Sequence, residues 1–223
     1  PSWVCNAQNN LVDNAWFGCE NIFNREIEKG WETNIEKIRF TGKKNKTWQK
    51  YVDEKRLEIT CGEAPYLVSR YDTVSGKPLD LKDRIGMLDR KMRVVCENTD
   101  SDTEWLKWSE RAFQSVYGFE FQGDSLLIAR ENLLASYCDY MEEKLNRHPT
   151  EKELINIAKI ISWNLWQMDG LTYTIPYEET VEPFKQVVLF DLHEKEKKCL
   201  CIIKDWRAKR IYTFQDLVNK GSN

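Results

Sequence analysis

Three short apolar runs, separated by long segments of helical periodicity, constrain this chain more than any other feature. "LEIT" at 57–60, "SVYGFE" at 115–120 and "CLCIIKD" at 199–205 have the length and the β-branched or aromatic content of strands. "TDSDTEWLKWSERAFQSV" precedes the second run. "SLLIARENLLASYCDYMEEKLNR" and "HPTEKELINIAKIISWNLWQMDG" separate it from the third. Strands joined through helices rather than tight turns run parallel, because only a long crossover returns the chain to the same end of a sheet. The order strand, helix, strand, helices, strand therefore implies an α/β domain with a largely parallel sheet.

Local signals place the helices. The first segment is predicted to be capped near Ser101–Thr103 and to turn Trp105, Leu106, Ala112 and Phe113 inward. Asp124 or Ser125 can cap the next, with a stripe of Leu127, Leu134, Tyr137, Met141 and Leu145. Thr150-x-x-Glu153 is a capping box for the helix that follows, and Asp169-Gly170 ends it. Near the start, Val4, Ala7, Leu11, Val12 and Ala15 recur at helical spacing up to the terminator Gly18. Residues 24–55 are charged and turn-rich; the lysines of "TGKKNKTW" read as a solvated loop, with DNA phosphate as their alternative partner.

Composition excludes several classes. Nine each of Trp, Tyr and Phe within 41% hydrophobic residues suffice for a core, which argues against disorder. A net charge of −3 means that a nucleic acid would have to meet a local basic surface. No apolar run approaches the roughly 20 residues of a membrane span, and no signal-peptide pattern opens the chain, so the expected location is cytoplasmic. The seven cysteines are odd in number and irregularly spaced, with no CxxC and only two histidines, so no metal site is expected. Cys199 and Cys201, inside an apolar run, read as core thiols of a reduced compartment.

The candidate site follows from the strand ends. Ligands of doubly wound sheets sit outside the carboxyl ends of the strands. Gly62 directly follows the first strand, where backbone can approach a ligand closely; the plainer reading is a tight turn. Glu120 ends the second strand, where a carboxylate can accept both ribose hydroxyls; a surface ion pair is its plainer role. Asp205 and Trp206 end the third, with a helix N-cap as the alternative for Asp205. Trp163 and Trp166 read as core, with base stacking as the alternative. There is no GxGxxG and no GxxxxGK[ST], so a nucleoside without pyrophosphate fits better than NAD or ATP.

"EITCGEAPY" at 58–66 resembles the first motif of the adenine-specific (N6, amino) DNA methyltransferases of restriction–modification systems, Asp-Pro-x-Cys-Gly-x-Gly-x-Phe. Glu58 stands for the Asp, Cys61 and Gly62 are retained, Ala64 replaces the second Gly and Tyr66 the Phe. "YGFEFQGDSLLIARENL" is similar to the second motif and "IIKDWRAKRIYTFQDL" to the third. "PSWV" resembles the tail of a Phe-Thr-Pro motif, which suggests a Phe-Thr pair before Pro1.

The resemblance implies a Rossmann-like S-adenosylmethionine-dependent methyltransferase fold, complete or truncated, with helical insertions. It covers residues 1–223 as one domain: a cofactor-contact helix at 1–18, core strands within 56–135, a helical insertion at 136–197, and a third strand with its following segment at 198–216. It implies S-adenosylmethionine as cofactor, held by Pro1, Ser2, Trp3, Glu58, Cys61, Gly62, Ala64, Tyr66, Glu120, Phe121, Asp205 and Trp206. Glu120 would hold the ribose, Phe121 flank the adenine, Asp205 lie near its amino group, and Pro1–Trp3 touch the methionine part. Double-stranded DNA is the implied partner, met through a local basic surface or a missing domain, with a restriction or specificity subunit as a further partner.

The family's catalytic Asn/Asp-Pro-Pro-Tyr/Phe tetrapeptide does not occur; "TIPY" at 174–177 and "EPF" at 182–184 precede the third motif and lack the amide. That amide draws electron density onto the exocyclic amine while the aromatic ring stacks on the flipped base. No catalytic residue is therefore assigned. The expectation is the cofactor-binding part of a DNA adenine-N6 methyltransferase, inactive by itself, with the motif downstream or in another chain. The alternatives are a non-catalytic methyltransferase-like DNA-recognition or interaction subunit, and a structural domain with a filled pocket.

Overall fold

A computed structural model describes residues 1–42, 46–176 and 199–221. The elements in order are helix α1 (Ser2–Phe17), strands β1 (Asn24–Ile27) and β2 (Gly30–Thr33), α2 (Trp48–Asp53), β3 (Arg56–Ile59), α3 (Met87–Asn98) and α4 (Asp102–Gln114). They continue with β4 (Val116–Glu120), α5 (Gly123–Leu145), α6 (Glu151–Asn164), β5 (Leu165–Gln167), β6 (Ile202–Asp205), β7 (Arg210–Thr213) and α7 (Phe214–Gly221). Lys43 and Lys44 of the basic loop, the last residue of "TIPY", "EPF" and most of the end of the 136–197 insertion lie outside the described residues.

The fold is mixed α/β around a parallel three-stranded sheet in the order β3-β4-β5. Arg56↔Val116 through Ile59↔Phe119 pair the first two strands, and Gly118↔Leu165 through Glu120↔Gln167 the last two. Side chains alternate across the sheet. One face carries Glu58, Val116, Gly118 and Leu165 into the main core, which α2 to α6 build with Tyr51, Leu88, Met92, Trp105, Phe113, Leu133 and Ile161. Gly118 is glycine for a packing reason: a Cβ there would lie 3.1 Å from Cys61 Sγ and 3.3 Å from a carbon of Leu165. The other face, with Phe119 and Trp166, receives the β6–β7 hairpin and α7 through Cys201, Ile203, Phe214 and Val218. That cover is partial, since Leu57 and Ile59 of β3 remain 44% and 48% exposed.

Three sequence expectations change here. The third parallel strand is Leu165–Gln167; "CLCIIKD" instead supplies β6, which pairs antiparallel with β7 in a separate two-stranded sheet. The four-residue turn after Asp205 folds β7 straight back on β6, a connection too short for anything but an antiparallel pair. Cys201 is buried as expected, but Cys199 is exposed.

Helix α1 buries the face opposite to its apolar stripe. Leu11 is 69% exposed and Val12 39%, whereas Asn6, Asn9, Asn10 and Asp13 are buried. The reason is Arg90 of α3, a guanidinium almost wholly out of water, which needs compensation at every donor it can reach. It donates to Asp13 at 2.6 Å, Asn10 at 2.7 Å and Asn6 at 2.9 Å. Asn24 ties the same network to β1, exchanging bonds of 2.7 and 3.0 Å with Asn6. In α5 the inward stripe is rotated by about one residue from the expected one: Leu126, Leu133, Tyr137 and Met141 are buried and Leu127 is exposed. The Thr150–Glu153 capping box forms at both bonds, and Ser101 caps α4.

Candidate functional site

The turn after β3 is built around two left-handed residues. Cys61 N–H still bonds Phe119 O at 2.8 Å, so the β3–β4 ladder extends one step past the strand. Gly62 then takes φ +52° and Ala64 φ +63°. Ala64 N–H closes on Cys61 O at 2.7 Å, and Val68 N–H on Ala64 O at 2.9 Å. The left-handed conformation costs an L-residue about 1–2 kcal/mol, which Ala64 bears while fully buried. A Cβ built on Gly62 would meet nothing within 4 Å. Glycine is required there by the backbone angle, and the space in front of it is open.

Glu120 ends β4 just before α5. One carboxylate oxygen, Oε2, accepts the Gly62 N–H at 2.7 Å; the other, Oε1, accepts those of Phe121 at 2.9 Å and Gln122 at 3.0 Å. The side chain is therefore a clamp between the ends of two adjacent strands, and the residue is only 7% exposed. A carboxylate has about four lone-pair sites. Three are occupied, which leaves one on Oε2.

Glu58 lies on the same face of the sheet, two residues before the end of the ladder. Its oxygens face the N–H groups of Leu67 at 3.1 Å and Tyr66 at 3.4 Å. Burial pushes its carboxyl up to about 8, against those two N–H groups, which pull it down, and with the charge of Glu120 adding to the rise. Burial likewise pushes the Cys61 thiol up to about 12, assisted by Glu58 and Glu120. Cys61 is thus a buried thiol packed against Gly118, with its thiolate form disfavoured.

Helix α1 borders the same turn. Asn9 Nδ2 donates to Tyr66 O and to Ile85 O, both at 3.0 Å. The helix start is fixed by Asp72, whose Oδ2 accepts the Ser2 N–H at 2.7 Å while its Oδ1 holds Ser75. These backbone bonds, first Ser2 and then Ser75, hold the Asp72 carboxyl well below the usual range. Pro1 and Trp3 flank this anchored end, exposed.

Ten of the twelve expected positions thus fall at one end of the sheet: Glu58, Cys61, Gly62, Ala64, Tyr66, Glu120 and Phe121 around the turn, and Pro1, Ser2 and Trp3 on the helix beside it. Asp205 and Trp206 do not join them. Asp205 pairs with Lys55 at 2.8 Å, and Lys55 precedes β3 whereas Gly62 follows it, so the two sites lie at opposite ends of the strand. Asp205 also accepts the N–H groups of Arg207 and Ala208, both at 2.9 Å, the turn-capping role that its side chain serves without any ligand.

Gln167, Met168 and Asp169 stand in the place that sequence reading gave to Asp205. Met168 N–H bonds Glu120 O at 2.9 Å, and Gln167 Nε2 bonds Phe121 O at 2.8 Å. Asp169 folds the backbone after β5 by accepting the N–H of Leu171 at 2.8 Å. The signal was Asp169-Gly170, an Asp-Gly pair that serves a strand end as well as a helix end. An apolar cavity of about 340 Å³ lies between Leu57, Tyr117, Tyr212 and Phe214, against the far end of the sheet from Gly62, and is not part of this site.

The chain matches no protein-family model, no curated protein and no solved structure. Among the described residues no group of three or more His, Cys, Asp or Glu is placed to hold a metal ion, and no helix is long and apolar enough to cross a membrane. What this end of the sheet leaves open is the space in front of Gly62 and one lone pair on Glu120 Oε2, since Met168 N–H and the Gln167 side-chain amide are already bonded.

Proposed function

We propose that this chain is the S-adenosylmethionine-binding part of a DNA adenine-N6 methyltransferase of the restriction–modification type, with the parallel sheet as one half of a Rossmann-like doubly wound fold. The observation that carries this reading is the Glu120–Gly62 bond. It joins an open glycine turn and an acid at the ends of adjacent parallel strands, where that architecture binds nucleosides. The ribose of the cofactor would approach Oε2 of Glu120, whose free lone pair accepts one hydroxyl directly. A second hydroxyl would have to replace one of the three backbone N–H bonds. The adenine would lie toward Phe121 and the β5 end, and the methionine part toward the start of α1. The cofactor supplies an electrophilic methyl group when bound.

Methyl transfer itself needs the Asn-Pro-Pro-Tyr chemistry from outside residues 1–223, so this chain alone is expected to leave tritium from labelled cofactor unincorporated in mixed-sequence DNA. The absence of that motif from the sequence also favours a second reading, a non-catalytic DNA-recognition or interaction subunit that keeps the fold. Calorimetric titration with S-adenosylmethionine tests the first reading: one saturable site is expected, and a folded protein that takes up none would end it. Labelled adenine in the transfer assay would overturn the division of labour between this chain and its partner.

A further inference from the structure

The β6–β7 hairpin carries a cluster of cations that the cofactor site does not use. Its connecting turn, Trp206-Arg207-Ala208-Lys209, leads into Arg210, and every residue from 207 to 210 is exposed. Lys209 and Arg210 have no partner for their charged ends among the described residues. Around them Lys55, Arg111, Lys204 and Arg207 also belong to the cluster, and the carboxylates paired with it are Asp53 and Asp205. Among the described residues Lys55, Arg111 and Arg207 are matched by Asp53 and Asp205, and Lys204 lies between two indoles, so Lys209 and Arg210 are the cations this cluster leaves unpaired, in a chain whose net charge is −3.

The hairpin is also held rigidly. Trp206 Nε1 donates to Asn164 Oδ1 at 2.7 Å, and Asn164 is itself buried and donates to Phe113 O and Val116 O. Lys204 Nζ lies 3.9 Å from the centre of the Trp206 ring and 5.0 Å from that of Trp163, a cation between two indoles. Tyr117 OH bonds Lys204 O at 3.0 Å, and the Asp205–Lys55 and Asp53–Arg207 pairs fix the base of the turn. The backbone that carries the tip cations is therefore fixed, so that only the side chains of Lys209 and Arg210 are left to be ordered on binding.

We infer that this hairpin is a docking surface for the phosphate backbone of duplex DNA, with Lys209 and Arg210 contacting phosphates. The inference rests on the reading of the chain as part of a DNA methyltransferase. Unpaired cations at the exposed tip of a fixed hairpin match a polyanion whose charges repeat along a line. The hairpin lies at the opposite end of the sheet from Glu120. Its role is to fix the duplex against the protein, with base selection left to other elements.

The test is fluorescence anisotropy of the full chain with a short labelled mixed-sequence duplex, at salt from about 50 to about 200 mM. The parent is expected to bind with steep salt dependence. Lys209→Ala/Arg210→Ala should weaken binding about tenfold and lower the salt slope by about two, roughly one per phosphate contact. Melting temperature should stay at the parent value, since neither charged end has a partner to lose. Unchanged affinity and slope in the double variant would overturn the inference. So would a parent that ignores duplex DNA but is captured by polyglutamate, which would mark an acidic protein as the partner. Calorimetry with S-adenosylmethionine on the same samples separates the two readings. Cofactor uptake without DNA binding removes the hairpin proposal alone, and DNA binding without cofactor uptake removes the cofactor reading and leaves the hairpin standing.

Discussion

Replacing Glu120 tests the clamp and the cofactor site in one pair of variants. Glu120→Ala leaves three backbone N–H groups without their acceptor. A hydrogen bond to a charged group contributes about 1.5–3 kcal/mol. The three are not additive, because Phe121 and Gln122 belong to the same turn as Glu120 and water can reach them once the carboxylate is gone. The bond to Gly62 joins two separate elements, so its loss also frees the turn after β3 from the end of β4. A loss of about 2–4 kcal/mol follows, within the range for breaking a buried hydrogen-bond network. Glu120→Gln keeps one acceptor oxygen but turns an NH₂ toward donors, so about half that loss is expected. With a typical stability of about 5–15 kcal/mol, both variants remain folded at 25 °C, and their affinity for S-adenosylmethionine can be measured. If the ribose bonds Glu120, alanine lowers affinity about 10- to 100-fold, and glutamine less. Thermal melting and calorimetry on the two proteins give the answer. A Glu120→Ala variant that melts with the parent would refute the clamp. One that melts early and still binds cofactor normally would take Glu120 out of the binding site and leave it a structural anchor.

Two further substitutions probe the neighbours of the clamp. Gly62→Ala meets no steric obstacle inside the protein, so its stability cost is the left-handed backbone alone, about 1–2 kcal/mol; it should also place a methyl group in the open space and weaken cofactor binding, and a variant that binds as well as the parent would make Gly62 an ordinary turn residue. Glu58 has its carboxyl raised from the ordinary 4.5 to about 8 by burial, so the folded state holds a proton that the unfolded state has released between those values. Its contribution to stability is present below about pH 4.5 and is lost as pH rises toward 8. Melting temperatures of the parent should therefore fall relative to Glu58→Gln across that window, and parallel curves would show that Glu58 is ionised in the folded protein.

Much of the domain is readable from local chemistry, and the failures have identifiable causes. The strands at 56–59 and 116–120, the capped helices α4 and α6, and the meeting of Gly62 with Glu120 all follow from periodicity, caps and the position of small or acidic residues after strands. Strand β5 does not, because α6 ends at Asn164 and the strand begins at the next residue with no glycine or proline between them. What switches the backbone there is tertiary: the Asn164 side chain bonds Phe113 O and Val116 O on distant elements. Asp205 misleads for a related reason, since an apolar run ending in Asp looks the same in a hairpin and in a parallel strand. In α1 the hydrophobic period is real but points outward, and nothing in residues 2–17 announces the buried arginine on α3 that reverses the preference.

That reversal has a thermodynamic consequence. Exposure of apolar surface raises heat capacity and exposure of polar surface lowers it, by about 0.45 and 0.26 cal/K/mol per Å². The part of the helix docked through Asn6, Asn10, Asp13 and Arg90 should therefore detach with a small heat-capacity change, unlike its last turn, where Trp16 and Phe17 pack on Tyr51 and Phe23. That polar part of the attachment will not fade on cooling as an apolar contact does. An apolar seam can slide by a turn and recover most of its contacts, whereas donors and acceptors at these spacings meet in one register only. The start of α1 is thus delivered to the Gly62 turn as a fixed wall, in the cold as at physiological temperature.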